Sequence, residues 1–358
     1  LGGGGSRGLA HLGVIQEMKR EGIPIDYIGG TSQGAFMGAM YASTLSTVDD
    51  KMVPEIFLKQ MGSVTHYIRS LTLPIMSYFS GSNFNELLRS IFGSTQIEDF
   101  WVRFFCCTTN VTDRKLEVHE VGPAWRYLRA SMTVMGLLPP MPMGDENDDN
   151  PNNAAARTTM LVDGGYVNNI PFDIMEELYD PAITIIVNVE ATERAQKLRH
   201  IVGGEHVSGW WLLLRTVWGV LGFGKGVDLP SAGSVTKEVA GIAAYERLAR
   251  VLERVENDDE ARIVYIEPEV VEYGLLDYHK SEEIIMAGRL AARKALRAWQ
   301  QRHTRIFGRG RFFGRGLSGA STGNTENGSG GRATPLGSSV SLAGIIAGDR
   351  GHSRGGSL

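Results

Sequence analysis

The 358-residue chain has only two cysteines, Cys106 and Cys107, and they are adjacent. Neighbours in a strand point to opposite faces, so the two cannot pair; no disulfide framework exists, which fits a reducing compartment. No apolar run is long and uninterrupted enough to span a bilayer. Nor is there a His/Cys ligand cluster, and the acidic run 145–149 lacks calcium-loop spacing, so no metal is expected. The body also lacks a basic patch. Residues 301–358 carry eight Arg against Glu326 and Asp349, which leaves 28 basic and 38 acidic residues in 1–300. A mildly acidic body with a basic tail is no nucleic-acid footprint. The chain does not begin with Met and reads as an excerpt, so a lack of targeting signals says nothing of location.

What is present is an ordinary globular balance, 42% hydrophobic and 21% charged, in a chain long enough to bury a core. Residues 1–8 read as a glycine-rich loop and 9–20 as a helix, with Leu12, Ile15 and Met18 at helical spacing. A short strand at 25–28 leads through Gly29-Gly30-Thr31-Ser32-Gln33-Gly34 into a second helix to about 43. Strands are expected at 104–109, 115–119, 160–162, 183–189 and 262–266. Helices are expected at 124–134, 234–256 and 281–299. Strands alternating with helices argue for an α/β layered fold with a mainly parallel sheet. The polar, Asn-rich stretch 145–157 reads as a surface loop, and the Gly/Ser/Arg-rich segment 308–358 as a disordered tail.

Three motifs carry chemistry. Gly30-Thr31-Ser32-Gln33-Gly34 fits G-x-S-x-G; between strand and helix, this spacing makes a tight turn that holds the Ser hydroxyl clear of the backbone, with the helix dipole behind it. Alone it also fits a glycine turn with a capping serine. The opening glycines, with Gly3, Gly5 and Gly8, match a dinucleotide fingerprint too, but no strand precedes them and Asp26 lies early in its strand. Four glycines in a row suit a loop whose bare N–H groups face an anion, such as a tetrahedral oxyanion. Leu161-Val162-Asp163-Gly164-Gly165 is an apolar strand ending in a carboxylate, which taken alone could be a simple Asp-Gly turn. Residues 210–221 place Trp210, Leu214, Val217, Trp218 and Leu221 on one helical face, suited equally to a membrane interface or a buried core.

In this order, Gly-Gly-Gly-x-Arg-Gly, Gly-x-Ser-x-Gly and Asp-Gly-Gly resemble the patatin-like phospholipases. Within that family the chain is most similar to the catalytic domain of neuropathy target esterase and its fungal lysophospholipase counterparts. Arg129-Ala130-Ser131-Met132, Leu138-Pro139-Pro140, Tyr166-Val167-Asn168-Asn169 and Ser208-Gly209-Trp210-Trp211-Leu212 support the likeness. It covers about residues 1–300. Residues 145–157 look like an insertion, the tail has no counterpart, and the usual first strand is cut off before Leu1.

The resemblance implies a three-layer α/β/α catalytic domain over 1–307 and a serine esterase working through a Ser–Asp dyad. Ser32 would attack the ester carbonyl of a lysophospholipid or diacyl phospholipid, with Asp163 as base. A carboxylate needs a partly desolvated cleft to serve so. Backbone N–H groups near Gly4 and Gly5, in the loop of Gly3, Gly4, Gly5, Arg7 and Gly8, would hold the oxyanion, with Arg7 fixing the loop. Gly30 and Gly34 shape the elbow, and Gly164 and Gly165 complete the third motif. No cofactor, metal or nucleic acid is implied. The partners would be phospholipid and a membrane surface, with the whole protein on the cytosolic face of the endoplasmic reticulum and cyclic-nucleotide-binding-like modules upstream. Histidine bases are disfavoured: His200, His206, His279, His303 and His352 follow Asp163, and none sits in a motif. The rival classes are a dinucleotide-binding oxidoreductase, which would show cofactor fluorescence on titration, and a non-catalytic lipid-binding module, whose Ser32 would not react with a fluorophosphonate.

Overall fold

The computed structural model describes residues 1–44, 71–72, 76–144, 158–190, 208–210 and 239–307. The expected loop 145–157, the tail 308–358, His200, His206 and all of 210–221 but Trp210 lie outside them. Trp210 itself is exposed.

Helix α1 (Ala10–Arg20) follows a 3-10 turn, Gly5–Leu9, that stands where the sequence suggests a plain loop. Gly22 takes a left-handed φ of 70° and ends α1, with Ile23 N–H returning to Met18 O at 2.9 Å, a glycine stop that satisfies end carbonyls. Strand β1 (Tyr27–Thr31) feeds α2 (Gln33–Thr44), which is buried almost all round. The strand thus lies later than the expected 25–28 and contains both Gly29 and Gly30. The reason is packing: a Cβ on Gly29 would lie 2.1 Å from the Phe105 ring, so glycine here admits an aromatic neighbour and marks no turn.

After α3 (Ser82–Phe92) comes the central strand β2 (Arg103–Asn110), with β3 (Lys115–His119) behind it. The run Phe104-Phe105-Cys106-Cys107-Thr108 is buried on both faces, as interior strands of layered folds are. Helix α4 (Ala124–Ser131) ends three residues earlier than expected, and β4 (Met141–Met143) precedes β5 (Thr159–Asp163). The remaining elements are α5 (Phe172–Tyr179), β6 (Thr184–Val187), α6 (Ile242–Glu256), β7 (Ile263–Ile266) and α7 (Ser281–Phe307).

Parallel pairing joins β1 to β2 and β6 to β7. Leu1 N donates to Gly29 O and Thr31 N–H to Leu1 O, the bond pattern of a parallel ladder, while Gly2 N–H reaches Val187 O of β6. The first two residues therefore sit between β1 and β6 and tie the two sheets together. Strands β3, β5 and β4 are added antiparallel around the end of β2.

Both faces are covered, which gives the α/β class its layers. In β7, Val264 and Ile266 enter the large core with α1, α2 and α7, whereas Ile263 and Tyr265 pack with Val251 and Leu248 of α6. Helices α1 and α7 touch backbone to backbone: a Cβ on Gly13 would lie 2.0 Å from Ile285 O, and one on Gly288 2.0 Å from Ala10 O.

Candidate active site

Ser32 stands between β1 and α2 with φ of +54°. That left-handed conformation costs a non-glycine residue about 1–2 kcal/mol, and it persists only where surroundings enforce it. Two backbone approaches do so. A Cβ on Gly34 would lie 2.4 Å from Leu1 O and 2.6 Å from Gly2 O, and one on Gly30 2.6 Å from Gly34 C. The elbow is pressed against the first residues of the chain, and a side chain at either glycine would push them apart.

Asp163 is brought to the same place by β2. Thr31, next to Ser32, pairs with Cys107, and Asp163 pairs with Thr108. The other edge of β2 is occupied by β3, so β1 and β5 share one edge and their carboxyl ends meet at consecutive β2 residues. Asp163 is 6% exposed and Ser32 9% exposed. Asp163 Oδ1 accepts Gly165 N–H at 2.8 Å, its backbone N–H donates to Thr133 O at 3.0 Å, and its carbonyl accepts Thr109 Oγ1 at 2.9 Å.

The glycine loop closes over this junction. A Cβ on Gly3 would lie 2.9 Å from Ser32 Cβ, and one on Gly8 2.4 Å from Gln33 Cγ. Arg7 is buried, and its Nε donates to Gly4 O at 3.2 Å. Gly3 N–H is taken by Asn169, whereas Gly4 and Gly5 N–H donate to no acceptor among the described residues.

Against this geometry stand the comparisons. The patatin-like phospholipase family profile matches residues 1–175, a span that holds the glycine loop, the Ser32 elbow and Asp163-Gly164-Gly165. The chain carries a patatin-like phospholipase domain. It is 35% identical over 300 residues to lysophospholipase NTE1 of Meyerozyma guilliermondii, covering 84% of this chain and 19% of that protein. To lysophospholipase NTE1 of Saccharomyces cerevisiae it is 36% identical over 288 residues, 80% of this chain and 16% of the relative. It spans between about a sixth and a fifth of the length of these curated relatives. VipD of Legionella pneumophila aligns at a TM-score of 0.40 and 13% identity over 83% of this chain and 66% of that one, too slight a likeness to bear on fold or function.

Several residues that shape the patatin-like site carry no local signal of the bonds they make. Ser131, at the end of α4, is fully buried; its Oγ accepts Ser32 N–H at 2.9 Å and donates to Cys107 O at 2.8 Å. Asn168 O accepts Thr31 Oγ1 at 3.0 Å, and Asn169 grips Gly3. Both asparagines lie in the stretch that supports the family likeness, but their partners are over 130 residues away. His11 lies under the glycine loop with Nε2 2.7 Å from Gly2 O, and burial drives its pKa down to about 3, so the ring is neutral. It bonds the loop backbone. His119 pairs with Thr108 Oγ1 at 2.7 Å and is likewise depressed by burial, to about 4. Burial pushes the Cys107 thiol up to about 12, so it stays protonated and is a poor nucleophile. Tyr166 accepts Met135 N–H at 2.9 Å, and burial raises its phenol pKa.

Among the described residues no three His, Cys, Asp or Glu side chains are grouped to hold a metal ion, and no helix is long and apolar enough to cross a membrane.

Proposed function

We propose that the domain hydrolyses the carboxylic ester of lysophospholipids, and of diacyl phospholipids, through a Ser32–Asp163 dyad. The observation that carries the reading is the meeting of the two strand ends on consecutive residues of β2, beneath a loop with two N–H groups lacking a described acceptor. The names of the relatives supply the substrate class.

Ser32 Oγ attacks the ester carbonyl as its proton passes to Asp163. Gly4 and Gly5 N–H stabilise the oxyanion, where each such donor contributes ~10²–10³ in rate. Collapse breaks the C–O ester bond, and the leaving alkoxide takes the proton from Asp163. Water then attacks the acyl-enzyme with Asp163 as base, which releases fatty acid and restores Ser32. These steps call on no cofactor. The substrate lies in a lipid surface, so membrane contact goes with the reaction; placement of the whole protein on the cytosolic face of the endoplasmic reticulum rests on the family resemblance alone.

The test is product analysis with lysophosphatidylcholine, with Ser32→Ala as control. Release of fatty acid by the wild type and none by the variant is expected. A folded Ser32→Ala protein that still turns over would overturn the nucleophile assignment.

A further inference from the structure

Gly3 is gripped by one side chain on both of its backbone groups. Its N–H donates to Asn169 Oδ1 at 3.1 Å and, more weakly, to Asn169 O at 3.4 Å; its carbonyl accepts Asn169 Nδ2 at 3.3 Å. The same Nδ2 donates to Glu190 Oε2 at 2.8 Å. Glu190 follows β6, and its own N–H donates to Asn188 Oδ1 at 2.9 Å, which fixes the backbone that carries the carboxylate.

The chemistry orients the amide. A carboxylate only accepts, so Glu190 draws the NH2 end of Asn169 towards itself and leaves Oδ1 for Gly3 N–H. Gly3 in turn faces both Asn169 Oδ1 and Ser32: a Cβ there would lie 2.6 Å from the first and 2.9 Å from Ser32 Cβ. Moving Asn169 therefore moves Gly3 relative to Ser32, and with it Gly4 and Gly5, the next two residues. A catalytic donor misplaced by about 1 Å can lose ~10² in rate.

We propose that Asn169 and Glu190 form a positioning pair that sets the glycine loop against Ser32 in the transition state, with Glu190 fixing which way the Asn169 amide faces. This rests on the esterase reading of the site. It predicts a charge-dependent partnership that simple packing does not. Asn169→Asp puts two carboxylates in contact and removes the donor to Glu190 and to Gly3 O. Glu190→Gln alone can still accept from Asn169 Nδ2. In the double variant Asn169→Asp/Glu190→Gln the roles are exchanged: the Gln amide donates to the Asp carboxylate, whose other oxygen accepts Gly3 N–H.

The experiment measures kcat and KM for lysophosphatidylcholine, the rate of fluorophosphonate labelling of Ser32, and the thermal midpoint of each protein. Asn169→Asp is expected to lower kcat and labelling at least about tenfold, with KM changed less than about threefold. Glu190→Gln, which keeps an acceptor but no longer dictates the amide's orientation, should lower kcat severalfold and less than Asn169→Asp does, and the double variant should regain at least about tenfold over Asn169→Asp. Glu190→Ala, at a partly exposed position, supplies a second variant should Asn169→Asp fail to fold; it should lower kcat severalfold with KM unchanged. Additive effects in the double variant, or an unchanged kcat in both Asn169→Asp and Glu190→Ala, would overturn the pair. If wild type shows no turnover, or Ser32→Ala matches wild type, the esterase reading itself fails, and the two failures are distinguishable.

Discussion

Replacing Ser131 with alanine should loosen the elbow from behind without touching a reacting atom. The hydroxyl is fully buried and links Ser32 N–H, at 2.9 Å, to Cys107 O, at 2.8 Å. Its loss orphans a buried donor and removes one partner of a buried acceptor, at ~1–3 kcal/mol for each group left unsatisfied. Since the Cys107 carbonyl has a second lone pair, the sum falls at about 2–4 kcal/mol. The φ of +54° at Ser32 loses one of its anchors as well, so a fall of about ten- to a hundredfold in kcat is expected. Urea unfolding reads the first quantity, as a lowered midpoint with an unchanged m-value. Fluorophosphonate labelling of the folded protein reads the second. The control is Ser90→Ala on α3, where an exposed hydroxyl donates to Leu87 O at 2.7 Å and the change should stay within about 0.5 kcal/mol. If Ser131→Ala is as mild as this control and labels at the wild-type rate, the link between α4, β2 and the elbow does not support the nucleophile.

Three further outcomes are expected. Ser32→Ala should lose at least ~10⁴ in esterase rate and stay folded, while Ser32→Gly, equally inert, should be the more stable of the two by about 1 kcal/mol because glycine adopts positive φ without strain; denaturation curves of the pair decide this. Asp163→Asn should be nearly as damaging as Ser32→Ala, and no single alanine at His11, His119, His200, His206, His279 or His303 should match it; a histidine that did would return the site to the Ser–His–Asp class. Stability should fall with acid between about pH 6.5 and 3. Burial lowers the folded pKa of His11 to about 3 and of His119 to about 4 from 6.5, so in that window the unfolded chain binds protons that the folded one refuses. The slope approaches about 1.4 kcal/mol per pH unit for each ring, and His11→Gln should show a shallower loss in pH-dependent urea melts.

Much of this molecule is legible in its sequence, because periodicity and strand-end motifs are local. The helical spacing of Leu12, Ile15 and Met18 and the apolar run before Asp163 place α1 and β5 to within a residue or two. Helix α3 was equally readable, since Phe84, Leu87, Leu88, Ile91 and Phe92 recur at helical spacing, although no element was expected there. Gly29 misleads because its reason lies across the sheet, in the Phe105 ring. The antiparallel direction of β5 depends on pairing over fifty residues away, which no window reveals. Ser131 and Asn169 stand in stretches that carry the family likeness, but their roles escape for the same reason: the bonds that confer them span 99 and 166 residues.

One strand acting as the shared reference for both the β1 and β5 ends has a mechanical consequence. Ser32 and Asp163 hang from neighbouring rungs of β2, and Ser131 is tied to that same rung. Thermal sway of the outer helices therefore displaces Ser32 and Asp163 in common mode, and their separation changes only when β2 itself bends. Interior strands open only near global unfolding. Under the proposed dyad, the gap between Ser32 and Asp163 is thus among the stiffest distances in the molecule, with the glycine loop pinned beside it through Gly2 and Gly3.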